Sequence, residues 1–129
     1  MKLILASTSR YRSHLLSRLG LPFEVAAPQI DETPLPGEQP QALALRLACA
    51  KALNVAVNYT GALVIGSDQV ACCDGELLGK PGTHENATRQ LRQLSGRQAF
   101  FFTALCVHNT DTAQTLHRCV ANPVWFRSL

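Results

Sequence analysis

What this chain lacks narrows its chemistry first. None of its five cysteines stands in a C-x-x-C pair, and five is an odd number. Cys72 and Cys73 are adjacent, while Cys49, Cys106 and Cys119 are scattered. That argues against a disulfide framework and for reduced thiols. Nothing near Cys72 and Cys73 would lower a thiol pKa, so strand filling explains them better than redox chemistry. The four histidines show no metal-ligand spacing, which sets zinc aside. There is no G-x-x-x-x-G-K-[ST] and no G-x-S-x-G, which argues against a P-loop enzyme and a hydrolase nucleophile elbow. No block of like charge occurs and the formal charge is only +3, which argues against a nucleic-acid tail or a polybasic membrane anchor. The N-terminal apolar stretch reaches only from Leu3 to Ala6, too short for a signal segment, and no apolar run approaches membrane-spanning length. The expectation is a soluble, cytoplasmic protein without nucleic-acid or membrane partners.

What is present supports one folded domain over residues 1–129. Hydrophobic residues make up 47% of the chain, enough for a real core. Lys2 to Ser7 reads as a buried strand, and Ser9 as the cap of a helix to about Leu19, stopped by Gly20. Leu15, Leu16 and Leu19 give that helix an apolar face. Phe23 to Ala27 is a second strand. Pro28 to Pro40 is a proline-rich loop that carries Asp31 and Glu32. A helix from about Gln41 to Asn58 places Leu43, Leu47, Ala50 and Val57 on one stripe, with Lys51 on its flank. Val64 and Ile65 suit a buried strand, Gly66 and Ser67 then loosen the chain, and Asp68 falls where a parallel strand would end. Asp74-Gly75 signals a hairpin. Thr83 caps a third helix to Leu94, with Ala87, Leu91 and Leu94 inward. Gln98–His108 and Ala113–Phe126 read as two strands around Asn109-Thr110-Asp111. The order predicts an α/β fold with a mixed central sheet flanked by helices.

The residues that carry chemistry each admit two roles. Asp68 is a general base or metal ligand at a strand end, or a turn acid that caps the next element. Asp31 and Glu32 are solvated loop acids; paired in space with Asp68, Glu32 instead makes an oxygen site for Mg²⁺ or Mn²⁺. Arg12 and Lys80 suit a phosphate clamp or a solvated surface, and Gly79 and Pro81 restrict the backbone around Lys80. Lys51 reaches over the sheet edge or snorkels. Ser7 and Thr8 donate to phosphate or cap the helix. The Phe100-Phe101-Phe102 run and Trp125-Phe126 fit a sheet core with one exposed face better than base stacking.

Taken together, these pieces resemble the Maf/YceF family of nucleoside triphosphate pyrophosphatases. The matching stretches are Leu3-Ile4-Leu5-Ala6-Ser7-Thr8-Ser9, Asp31-Glu32-Thr33, Leu47-Ala48-Cys49-Ala50-Lys51-Ala52, Ile65-Gly66-Ser67-Asp68-Gln69-Val70 and Gly79-Lys80-Pro81. Leu94-Ser95-Gly96 and Val124-Trp125-Phe126-Arg127 follow in the family's order. The resemblance implies a Maf/ITPase-like fold and metal-dependent hydrolysis of a small-molecule nucleotide, giving a monophosphate and pyrophosphate. It implies Asp68 as the base, Glu32 and Asp68 around Mg²⁺ or Mn²⁺, and Ser7, Arg12, Lys51 and Lys80 around the phosphates. Gln69 after the acid and Tyr11 before Arg12 are similar to the branch acting on 7-methyl-GTP, where an aromatic face suits a cationic methylated guanine. Arg10 stands where the family has Pro, and Ser13 where a second Arg is common. Family members continue past the position of Leu129, so the resemblance implies a domain incomplete at its C-terminus. Exposed apolar surface near Trp125 then favours self-association, with a homodimer as its simplest form. A catalytically silent nucleotide-binding or interaction module is the alternative reading.

Overall fold

The elements form where local chemistry favours them. β1 (Lys2–Ala6) buries Ile4, Leu5 and Ala6. α1 (Arg10–Ser17) starts after Ser9, whose hydroxyl accepts the Arg12 amide at 3.2 Å. The chain leaves it through Gly20 at φ +72°, a conformation that costs a residue without Cβ little. β2 (Glu24–Ala26) follows, and then a loop to α2 (Pro40–Ala56). Pro40 suits a first turn, where its missing amide hydrogen leaves nothing unsatisfied. β3 (Ala62–Cys73), β4 (Glu76–Leu78), α3 (His84–Leu94), β5 (Gln98–Asn109) and β6 (Thr115–Trp125) complete the order. The computed structural model describes residues 1–73, 76–78 and 84–125. The expected turn at Asp74-Gly75, the Thr83 cap, Gly79-Lys80-Pro81, the Ala87 side chain, Phe126 and Arg127 lie outside the described residues.

The sheet runs β2-β1-β3-β5-β6, with β4 also paired to β3. β1 is parallel to β2 and β3, whereas β4 and β5 are antiparallel to β3, and β6 to β5. The mixed α/β sheet expected from the sequence is therefore present. Steps from β1 to β2 and from β2 to β3 cross the sheet in opposite directions. Right-handed connections then place α1 and α2 on opposite faces. α2 covers one face, where Ala44, Ala48, Leu47 and Val55 pack on Ile4, Val64, Ala104 and Cys106. On the other face Leu94 of α3 packs with Cys73 and Ala99. Among the described residues no helix is long and apolar enough to cross a membrane.

Several expectations need correction. β3 does not end at Asp68 but runs on to Cys73, because β5 pairs with it continuously from Leu63 to Cys72. What ends near Asp68 is the parallel ladder, whose last pair is Ala6 with Gly66. Gly66 does not loosen the chain. It lies within β3, where a Cβ would sit 2.0 Å from the Ala48 carbonyl oxygen and 2.8 Å from the Ala52 amide nitrogen. Its bareness lets α2 rest on the strand. Val57 leaves the α2 stripe and is 82% exposed, since the helix ends at Ala56. Lys51 is not on the flank of the stripe but on its buried side, between Ala48 and Ala52. Among the leucines of α1 and its C-terminal exit, Leu15 and Leu19 are exposed and Leu16 is half-buried, so that apolar face is largely uncovered. Leu91 is likewise exposed. Cys72 and Cys73 do fill the strand, and both are buried.

Candidate active site

One edge of β3 opens between two neighbours. β1 pairs with it as far as Gly66, and β4 joins the same edge only from Ala71. Ser67 to Val70 therefore have no strand beside them on that edge among the described residues. A cleft of about 600 Å³ forms there. Its walls include Ser7, Thr8, Ser9 and Arg12 from the β1–α1 junction, Glu32 from the proline-rich loop, Lys51 from α2, and Asp68 and Gln69 from β3. This is the carboxyl end of the parallel ladder between β1 and β3, the end at which open α/β sheets bind ligands.

Asp68 and Lys51 meet at the floor of the cleft. Strand alternation turns Asp68 toward α2, and the close approach over Gly66 brings Lys51 down to it. The Lys51 ammonium donates to Asp68 Oδ1 at 2.8 Å, and both residues are only 7% exposed. The same nitrogen lies 3.4 Å from the Ser67 carbonyl oxygen and 3.3 Å from Glu32 Oε1. Two carboxylates from distant parts of the chain thus face one cation. Removing one partner of such a buried pair costs about 3–5 kcal/mol, because the other charge is left uncompensated.

The β1–α1 junction supplies the opposite wall. Ser7 is buried, and its hydroxyl oxygen accepts the Ser9 amide at 3.0 Å. Ser9 in turn caps α1 through the Arg12 amide. The Ser7 hydroxyl closes a local turn and the Ser9 hydroxyl caps the helix, and each retains a proton to donate. Helix-opening amides and the half-buried Arg12 beside them make this wall favourable to an anion. Gln69 lines the cleft and donates to Thr103 Oγ1 at 3.2 Å. Tyr11 is 71% exposed and is absent from the cleft walls. Lys80 lies outside the described residues.

The sequence reading missed what holds the acid-bearing loop. Arg46 of α2 donates to Glu38 from Nε at 2.7 Å and from Nη2 at 3.0 Å, and from Nη2 also to the Thr33 carbonyl at 3.1 Å. Glu38 accepts the Leu35 amide, Asp31 accepts the Thr33 amide, and Asn54 accepts the Gln29 amide. The Arg46 guanidinium holds the Glu38 carboxyl below the ordinary carboxylate range. The Thr33 hydroxyl and amide do the same for Asp31. A helical Arg and a loop Glu carry no local motif, so only tertiary proximity reveals them.

Two carboxylates beside one cleft fit a hard cation such as Mg²⁺ or Mn²⁺. Such ions use one or two protein carboxylates and leave further positions to water and phosphate oxygens. Glu32 and Asp68 both approach the Lys51 ammonium, so their oxygens already converge on one positive charge. The donor set suits oxygen-seeking metals and not zinc.

Comparison with known proteins agrees with this geometry. A family model described as "Maf-like protein" matches residues 2–129. A relative from Nitrosococcus oceani named 7-methyl-GTP pyrophosphatase is 60% identical over 129 residues, covering 98% of this chain and 64% of that relative. Others of the same name come from Burkholderia thailandensis (55% identical; 99% of this chain, 61% of the relative) and Nitrosospira multiformis (54%; 99% and 65%). The chain thus spans a little over three-fifths of the length of the curated relatives it matches. A crystal structure described as a nucleoside-triphosphatase or dITP/XTP pyrophosphatase from Mycobacterium abscessus shares the fold. It has a TM-score of 0.57 at 22% identity and covers 95% of this chain and 72% of that one. With the matched family model spanning almost every residue and the cleft built from the motif residues, this chain belongs to the Maf-like protein family.

Proposed function

We infer that this chain hydrolyses a nucleoside triphosphate between the α- and β-phosphates, releasing the monophosphate and pyrophosphate, with Mg²⁺ or Mn²⁺ as cofactor. The observation that carries the reading is Asp68, buried on Lys51 beside Glu32 at the open edge of β3. Lys51 occupies Oδ1 of Asp68 and fixes the carboxylate, leaving Oδ2 for a water molecule. That oxygen accepts the water's proton as the water attacks the α-phosphorus. The bond from this phosphorus to the bridging oxygen breaks, and pyrophosphate departs with the electron pair. Arg12, the α1 amides and Ser7 hold phosphate oxygens where negative charge gathers, and Lys80 of the Gly79-Lys80-Pro81 motif joins them. A divalent ion held by Glu32 and Asp68 supplies Lewis-acid neutralisation of phosphate charge when bound.

The activity for which the relatives are named and the Gln69 that follows Asp68 support 7-methyl-GTP as substrate. Tyr11 contributes if the base extends past α1, where its ring stacks on a cationic guanine. The test is pyrophosphate release from 7-methyl-GTP, GTP, dTTP and UTP with Mg²⁺ or Mn²⁺. Selective turnover of 7-methyl-GTP is expected, with Asp68→Asn reducing it by about a hundredfold or more while circular dichroism stays unchanged. Full activity in that variant would remove Asp68 from its role. Calorimetric nucleotide binding without pyrophosphate release would replace the hydrolase with a silent nucleotide-binding module.

A further inference from the structure

We propose that Arg46 is a positioning residue: by ordering the turn at residues 31–35 it presents the Glu32 carboxylate to Lys51 and Asp68. The inference deepens the hydrolase reading above and rests on it for its functional half. Glu32 belongs to neither a helix nor a strand, and its side chain is exposed. Nothing within its own peptide aims it at the cleft. The residue that follows it is held instead, through both of its backbone groups. The Thr33 amide donates to Asp31 Oδ1 at 2.9 Å, and the Thr33 carbonyl accepts from Arg46 Nη2 at 3.1 Å.

The anchor for this turn is a fork. Arg46 meets both oxygens of Glu38 through Nε and Nη2, and Glu38 Oε1 also takes the Leu35 amide. One guanidinium therefore ties two ends of a short loop segment, Thr33 and Leu35 to Glu38, onto α2. Lys51 stands on the same helix, so the acid and the ammonium it faces share one rigid support. A planar five-donor group does this where an ammonium cannot, since only the fork satisfies both oxygens and a carbonyl in fixed directions. Arg46 touches neither Asp68 nor Lys51 in this arrangement, which makes its action indirect.

Amide exchange measured by NMR tests the ordering without needing activity. In Arg46→Gln, the Thr33 and Leu35 amides exchange about tenfold faster or more, while the buried middle of α2 is unchanged. Arg46→Lys keeps the charge but lies nearer to Gln than to wild type. Unchanged exchange at Thr33 and Leu35, or full rescue by Lys, overturns the proposal. Turnover supplies the second readout. Arg46→Gln lowers kcat/KM and raises the Mg²⁺ concentration for half-maximal rate about fivefold or more in the wild-type background, and less than about twofold when Glu32 is already Gln. An equal loss in both backgrounds means that Arg46 acts elsewhere and overturns the proposal. A wild-type chain that hydrolyses no nucleotide overturns the hydrolase reading instead, and the exchange data then decide the ordering of the turn by themselves.

Discussion

The two faces of the central sheet differ in how they are covered, and the site depends on the difference. Under α2 the packing is tight and built from small residues. Ala44, Ala48 and Ala52 have no exposure, and Gly66 lets the helix backbone approach the strand backbone directly. On the opposite face, toward β5 and β6, larger apolar side chains stay open to solvent. Leu105, Leu116, Val120 and Val124 point to that face together, and all are exposed. One face holds a cation and a carboxylate in fixed register; the other presents exposed apolar side chains around the exposed Arg118. Close packing under α2 therefore fixes the Lys51–Asp68 pair in place as well as stabilising the fold.

The sharpest way to break the comparison is to remove the cation from the packed face. Lys51→Met keeps the length and apolar body of the side chain but strips Asp68 of its buried partner. A destabilisation of about 3–5 kcal/mol is expected, since one buried charge is left uncompensated. Urea denaturation measures it. Adding Asp68→Asn to Lys51→Met should recover part of the loss, because the stranded charge is then gone. The exposed pair Lys2–Glu24, at 3.6 Å between β1 and β2, is the internal control. Breaking it should cost less than about 1 kcal/mol. Equal effects at the two pairs would mean that the buried position of Lys51 carries no weight.

Gly66→Ala probes the same face through shape instead of charge. The new methyl group would overlap the Ala48 carbonyl and the Ala52 amide, both of them helix backbone that cannot rotate away. α2 must move off β3, at a cost of about 3 kcal/mol, the upper part of the overpacking range. The gain of about 0.4–1 kcal/mol from a less flexible unfolded chain offsets only part of this. Because Lys51 moves with α2, turnover should fall together with the urea midpoint. Retained stability and turnover would mean that α2 rides higher over the strand.

Sequence alone revealed the parts of the cleft more readily than their support. Asp68, Glu32, Lys51, Ser7 and Arg12 stand out as motif residues at sheet and helix ends, and the fold brings all five to one cleft. Helix periodicity also located α2, but it assigned Val57 to the stripe and Lys51 to its edge. Small alanines misled that reading, because a helix that packs through Ala and Gly buries whatever lies between them, lysine included. The strand-end reading of Asp68 failed for a different reason. A strand can lose one neighbour and keep the other, and local sequence records neither. Arg46 and Glu38 are legible only in three dimensions, since their pairing joins a loop to a helix with no fixed spacing.

The smallest expected effect lies on the open face and tests whether it is open in solution. Leu116 of β6 is 76% exposed, so folding of a single chain removes little of its apolar area from water. Leu116→Ser should then shift stability by no more than about 0.5 kcal/mol in either direction, as for other surface substitutions. It should also lower light scattering at high protein concentration, because the patch shared with Leu105 and Val120 loses its most exposed member. Urea curves at two protein concentrations separate the possibilities. A loss above about 1 kcal/mol that grows with protein concentration would show that a second chain covers Leu116. A loss of that size independent of concentration would show that this chain covers the residue itself. Either result would erase the contrast between the faces, whereas a neutral outcome leaves α2 and β3 as the place where this fold spends its close packing.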